Sequence, residues 1–303
     1  MKCFFIFLSC SAASVALLTS CKTDRQTGRS GMDVLSGEET EDLTQRIEHI
    51  KKVYYLCPSP AEMLSIIDVS KNEFNGELLN SPGNAEKYFD IKTQTVNLGI
   101  YITDLAYSAL FGRHQETIDY LETIQSLSEE IRVTGDLNDE LFRRVESNVT
   151  NLDSLFTISN EAFTNMLTYC EKNSRSNSIA LLSTGAFIES LFLAINTVGE
   201  YQEADQLINH LADQKYALDN LVSFAESMPG DESVASMLAD IQPIINIYKG
   251  LESTKQETTV RKESDNRLVI GGGKKIILPK EDFLLLKKET RTIRNKITEN
   301  TGS

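Results

Sequence analysis

Gly99-Ile100-Tyr101-Ile102-Thr103-Asp104-Leu105 and Gly185-Ala186-Phe187-Ile188-Glu189-Ser190-Leu191 carry one pattern twice, 86 residues apart. Thirteen or fourteen residues further on, Gly112-Arg113-His114-Gln115-Glu116 is matched by Gly199-Glu200-Tyr201-Gln202-Glu203, at an offset of 87. Two matches in one order at nearly one offset read as a duplicated helical hairpin, with pseudo-repeats near 92–133 and 178–226. In each copy the second glycine falls where a helix end needs positive φ. The glutamates at 116 and 203 fall in the first turn of the next helix, where the dipole favours anions. Chance likeness between amphipathic helices, which share apolar spacing, is the competing account.

Working outward, the chain keeps a helical rhythm with only 16 glycines and 6 prolines in 303 residues. Ser36 precedes Glu38, Glu39 and Glu41, and the stripe Leu43, Ile47, Ile50, Val53, Tyr54 predicts a helix that stops at Pro58 and Pro60. A second helix is expected from about Ala61 to Leu79, followed by a turn at Ser81-Pro82-Gly83. Leu141 to Phe156 reads as a helix pair around Asn148-Thr150-Asn151. Met228-Pro229-Gly230-Asp231 reads as a turn before a helix through Val234, Ile241 and Tyr248. Near the end, Arg267–Ile270 and Ile276–Leu278 are expected as strands about a turn at Gly271-Gly272-Gly273. Pro279 then opens a helix with Phe283, Leu284, Leu286 and Ile293 as its apolar positions. The fold class expected is all-α: a multi-helix bundle or helical-hairpin array with an internal duplicated hairpin, plus a small C-terminal β-hairpin and helix.

The N-terminus has a different character. Lys2 and the apolar run Phe4–Leu18 are too short for an ordinary membrane span and read as a removable leader, residues 1–20. The leader ends in Leu18-Thr19-Ser20-Cys21, which resembles the lipobox of bacterial lipoproteins. That resemblance implies a lipid on Cys21, an anchor in the membrane, and, with Lys22 instead of aspartate after the cysteine, an outer-membrane lipoprotein facing the periplasm (or the cell membrane if there is no outer one). Residues 21–36 are polar and read as a tether, and residues 37–254 as the helical domain. No second apolar run is expected to reach membrane-spanning length.

Starting at Cys21, the chain holds 29 basic and 44 acidic residues, a net of −15, which argues against general nucleic-acid binding. The charge is unevenly spread: residues 255–303 carry twelve Lys or Arg against seven Asp or Glu, leaving residues 21–254 at −20. The basic tail is expected to pack on the acidic body, with contact to anionic lipid as the alternative.

Chemical motifs are sparse. The glycine run lacks the spacing and hydroxyl of a phosphate-binding loop, so no nucleotide cofactor is expected. His49, His114 and His210 form no helical metal pair, and no metal is expected. Glu129-Glu130 and Asp139-Glu140 are carboxylate pairs best read as solvated helix faces. Cys57 and Cys170 are either one disulfide or two separate buried thiols. The hairpin at 185–211, with Gly199-Glu200-Tyr201-Gln202-Glu203-Ala204 at its turn, resembles a tetratricopeptide hairpin, although Phe192 stands where that family keeps a small residue. The expectation is a membrane-anchored helical protein that binds a protein, peptide or small ligand in an interhelical groove. An enzyme with unremarked carboxylates and a structural envelope component are the alternatives.

Overall fold

The computed structural model describes residues 59–133, 143–144, 147, 152–202, 205–262 and 268–299, all within the unit Thr44–Ser303. The helix expected before Pro58 and half of the pair expected at 141–156 lie outside the described residues. Within them the protein is mostly helical, with a two-stranded antiparallel sheet and a C-terminal helix.

Ser59 opens α1 (Pro60–Leu64) with a capping box: its Oγ accepts from Glu62 N–H at 3.1 Å, and its own N–H reaches Glu62 Oε2 at 3.3 Å. The helix expected to run to Leu79 ends at Leu64. Asp68 Oδ1 accepts from the Ser70 N–H and hydroxyl, and Asn75 Oδ1 from the Glu77 N–H. Such local bonds give the backbone an alternative to the helical ladder. The chain continues as two 3-10 turns, Gly76–Leu78 and Pro82–Lys87.

Asp90 then caps α2 (Ile91–Leu110), its carboxylate accepting from Thr93 N–H at 2.9 Å. The order continues with α3 (His114–Glu130), α4 (Leu152–Lys172), α5 (Ser176–Thr197), α6 (Gln206–Glu226) and α7 (Glu232–Gly250). The two halves of the repeated sequence meet. A Cβ on Gly99 would lie 2.0 Å from the Leu182 carbonyl oxygen, and one on Gly185 would lie 1.9 Å from that of Val96. Each glycine thus rests on the carbonyl three residues before the other glycine. Thr103 Oγ1 repeats the rule one turn on, donating to Ala186 O at 3.3 Å as well as to Gly99 O. The contacts advance in the same direction along both chains, so α2 and α5 run parallel about a local two-fold relation. Glycine is required here because only its missing side chain lets the two backbones touch.

The second glycines differ. Gly112 has φ +64, and the Arg113 N–H returns to Ser108 O at 2.8 Å, closing α2 against α3. Gly199 does not take positive φ, contrary to expectation: Val198 ends α5 in extended conformation, and α6 begins only at Gln206 behind the Asp205 cap. Glu203 lies outside the described residues. The connection is drawn toward the tail instead, where Tyr201 donates its hydroxyl to Leu278 O at 2.5 Å and its ring lies 5.5 Å from Phe283.

Helix α5 sits at the centre, touching α1, α2, α4, α6, α7 and the last helix. It also corrects the expectation of no second long apolar run: Ser176–Thr197 is long and apolar enough to cross a membrane, yet its most apolar window is wholly buried inside the body. Interspersed Ser, Thr and Gly disguise the run in the sequence.

After α7 come β1 (Ser253–Lys262) and β2 (Leu268–Ile276). The three glycines lie inside β2, correcting the expected turn: Gly273 pairs with Gln256 and Gly271 with Thr259, across a register shift. Residues 263–267, which connect the strands, are outside the described set. Helix α8 (Lys280–Glu299) packs on α5, α7 and α2. Phe283, Leu286, Ile293 and Ile297 are buried, whereas Leu284 is 52% exposed because it falls out of phase with their three- and four-residue spacing.

Candidate functional site

Three ionisable side chains from three helices converge where the apolar repeat is interrupted. Asp104 comes from α2, Glu189 from α5 and Arg294 from α8. Both carboxyl groups are fully buried. Arg294 grips Glu189 with two bonds, Nε to Oε2 at 3.0 Å and Nη2 to Oε1 at 3.1 Å. The same Nη2 donates to Leu78 O at 2.9 Å, and the guanidinium lies 5.0 Å from the Phe192 ring centroid. Phe192, too large for a tetratricopeptide-like approach of helices, here packs on a cation.

Asp104 Oδ2 accepts the Asn80 N–H at 3.0 Å. Burial, with Glu189 beside it, holds the Asp104 carboxyl well above the usual carboxylate range. Burial thus favours the protonated form of Asp104, beside the Glu189 carboxyl that Arg294 grips. A shell of aromatic hydroxyls and amides completes the cluster. Asn80 Nδ2 donates to Tyr88 Oη at 3.1 Å, and Tyr88 donates to Thr298 O at 3.0 Å. Asn97 Nδ2 donates to Ile297 O at 3.2 Å.

The irregular segment before α2 lies across this cluster as a strap. Its main-chain groups are held by helix side chains: Asn80 O by Tyr120, Ser81 O by Tyr101 at 3.1 Å each, and Leu78 O by Arg294. A net contribution of about 1 kcal/mol per such bond, more for the charged one, keeps a non-repetitive stretch in place. Chemically, the arrangement is two fully buried carboxyl groups and one largely buried cation.

A second feature lies at the surface. A shallow cleft between α2, α7 and α8 is lined by Lys92, Thr93, Val96, Met237, Asp240 and Ile297 and encloses about 20 Å³. Asp240 sits between Lys296 at 2.6 Å and Lys92 at 3.8 Å. Phe89 and Ile91, 74% and 64% exposed, come just before the cleft-lining Lys92 in the chain.

The residues singled out from sequence stand apart from the cluster. Cys170 is buried in α4, where burial pushes its thiol up to about 11, and Cys57 lies outside the described residues, as does Cys21. Glu129 and Glu130 are exposed, Glu130 accepting from Gln94 at 2.8 Å, and Asp139-Glu140 are outside the described set. His210 contacts Gln214, and burial lowers its pKa. His114 opens α3, and His49 is outside the described residues. Among the described residues no group of three His, Cys, Asp or Glu side chains is placed to hold a metal ion. Sequence reasoning passed over Asp104, Glu189 and Arg294. The available signal was a single acid in the middle of each otherwise apolar repeat.

No family model, curated protein or solved structure matches this chain.

Proposed function

We propose that the protein is a lipoprotein tethered through Cys21 to the outer membrane, facing the periplasm, whose helical body docks a protein or peptide partner. The lipobox Leu18-Thr19-Ser20-Cys21 supports the anchor. The observation that carries the docking reading is the pair Phe89 and Ile91, large apolar side chains left in solvent just before the cleft-lining Lys92 in the chain. The cleft has room for about one water-sized group, too little to enclose a free small ligand. The enzyme reading loses support from the same geometry, since the converging acid–base groups are closed to substrate.

The test has two arms in the native cells. Labelled palmitate is incorporated by the parent and not by Cys21→Ala; labelling of that variant removes the anchor. A photo-cross-linking residue at position 89 or 91 yields one discrete adduct, which Met237→Arg in the cleft abolishes. Adducts that Met237→Arg leaves unchanged remove the docking site.

A further inference from the structure

Four main-chain groups of residues 78–81 are gripped by side chains from three helices. Arg294 donates to Leu78 O, Asp104 Oδ2 accepts from the Asn80 N–H, Tyr120 donates to Asn80 O and Tyr101 to Ser81 O, all between 2.9 and 3.1 Å. Each bond ends on a helix side chain, so all four can open without breaking a helical ladder. A segment so held can leave locally while the rest stays folded. Two of the gripping side chains, Asp104 and Arg294, belong to the buried charge cluster, in which two fully buried carboxyl groups face one cation. Arg294 directs both its carboxylate bonds to Glu189. Asp104 Oδ1 is buried and takes no donor among the described residues, as suits an oxygen that carries a proton instead of accepting one.

Loss of that proton leaves two carboxylates in the core against a single guanidinium, and a buried charge without a partner is strongly destabilising. The nearest relief is water beneath the strap, where Asp104 already reaches the Asn80 N–H. We infer that residues 78–81 form a latch that one proton on the Asp104–Glu189 pair keeps shut, and that losing the proton lifts the strap while the helices stay packed. An open strap presents both carboxyl groups and the hydroxyls of Tyr101 and Tyr120 to solvent, which the closed one withholds. The other ionisable groups around Asp104 keep their charge state through the same pH range. Tyr101 of α2, Tyr120 of α3 and Tyr88 at the end of the strap are held above the usual phenol range, mainly by burial, and stay neutral. Glu116 of α3 is held below the usual carboxylate range by its bond to Arg113 and stays ionised. Arg294 of α8 stays cationic, which leaves the proton that Asp104 holds beside Glu189 of α5 as the one that titrates.

Native-state hydrogen exchange of the full chain tests this, with protection taken relative to the intrinsic rate at each pH. A closed state that holds the proton more tightly than the open one is favoured at low pH and loses that advantage as pH rises. In the open state the carboxyl regains a value of about 4. Opening at the Asn80 amide should therefore rise by up to about tenfold per pH unit from pH 5 upward, until the closed-state carboxyl itself ionises. Sub-denaturing urea should leave that exchange unchanged while accelerating the Leu182 amide inside α5, because lifting a short segment exposes little surface. Asp104→Asn should flatten the pH dependence. Tyr120→Phe, which removes one latch bond and no charge, should raise opening about fivefold at every pH and keep the slope. Urea dependence at Asn80 equal to that at Leu182 overturns the inference, since the strap then leaves only when the whole chain unfolds. A slope in the parent no steeper than in Asp104→Asn overturns it too. Should that variant fail to fold, a parent and a Tyr120→Phe variant that both lack any slope have the same force.

Discussion

Glu189 occupies in α5 the place that Thr103 occupies in α2. Both lie four residues beyond the glycine at which the helices touch, but Thr103 spends its hydroxyl on the carbonyls of Gly99 and Ala186, whereas Glu189 receives Arg294 from the last helix. The local two-fold relation is thus broken at this position as well as at Gly199, and the break brings in the last helix.

The glycine contact gives the first prediction. Gly99→Ala or Gly185→Ala places a methyl within 2.0 Å of a backbone carbonyl that cannot rotate away. Each should lower stability by about 3 kcal/mol or more, read as a fall in the urea midpoint. Gly250→Ala, with nothing within 4 Å of the new methyl, should be neutral or stabilise by up to about 1 kcal/mol. Equal effects at the three sites would mean that α2 and α5 do not touch as described.

The fold was legible because its signal was the repeat itself. Matching glycines, apolar spacing and the turn at Gly230 are local facts, and local facts set helices. The strap was not legible, since Asp68 and Asn75 compete with a helix only through bonds whose outcome depends on what Tyr101, Tyr120 and Arg294 hold in place. Asp104 and Glu189 were visible as lone acids but not as a pair, because 85 residues separate them and only the glycine crossing brings them together. The glycines of β2 misled in the other direction, having the composition of a turn and the register of a strand.

Asp104 predicts a pH dependence. A carboxyl whose pKa is raised by folding binds its proton more tightly in the folded state. Its contribution is complete below the unfolded value of about 4 and is lost as pH rises through the folded value. Asp104→Asn keeps an acceptor for the Asn80 N–H and a donor toward Glu189 and removes the titration. Urea unfolding from pH 4 to 9 should show the parent losing stability relative to this variant as pH rises. Parallel curves would exclude a protonated Asp104.

Arg294→Met should cost about 3–5 kcal/mol by stranding Glu189 in the core. The double variant Glu189→Leu/Arg294→Met should recover most of that loss, because it removes both charges together. A double variant no better than Arg294→Met alone would show that the guanidinium matters for Leu78 O or Phe192 instead of for the ion pair. Truncation after Leu251 removes Arg294 with Phe283 and Leu286 and should lower the melting temperature more than Arg294→Met does.

Tyr201→Phe isolates the link between the α5–α6 connection and the tail. Losing the hydroxyl bond to Leu278 O while keeping the ring against Phe283 should cost about 1 kcal/mol, measured by thermal unfolding. An unchanged melting temperature would mean that Tyr201 is held by its ring alone.

The cation of the buried cluster is encoded 105 residues after Glu189 and 190 after Asp104. During synthesis, a chain that has passed Glu189 but not Arg294 contains the two acids and both crossing glycines but lacks the guanidinium that pairs with Glu189. Completion of the core waits for Arg294, and a chain cut or stalled before it carries in its own electrostatics the mark of being unfinished.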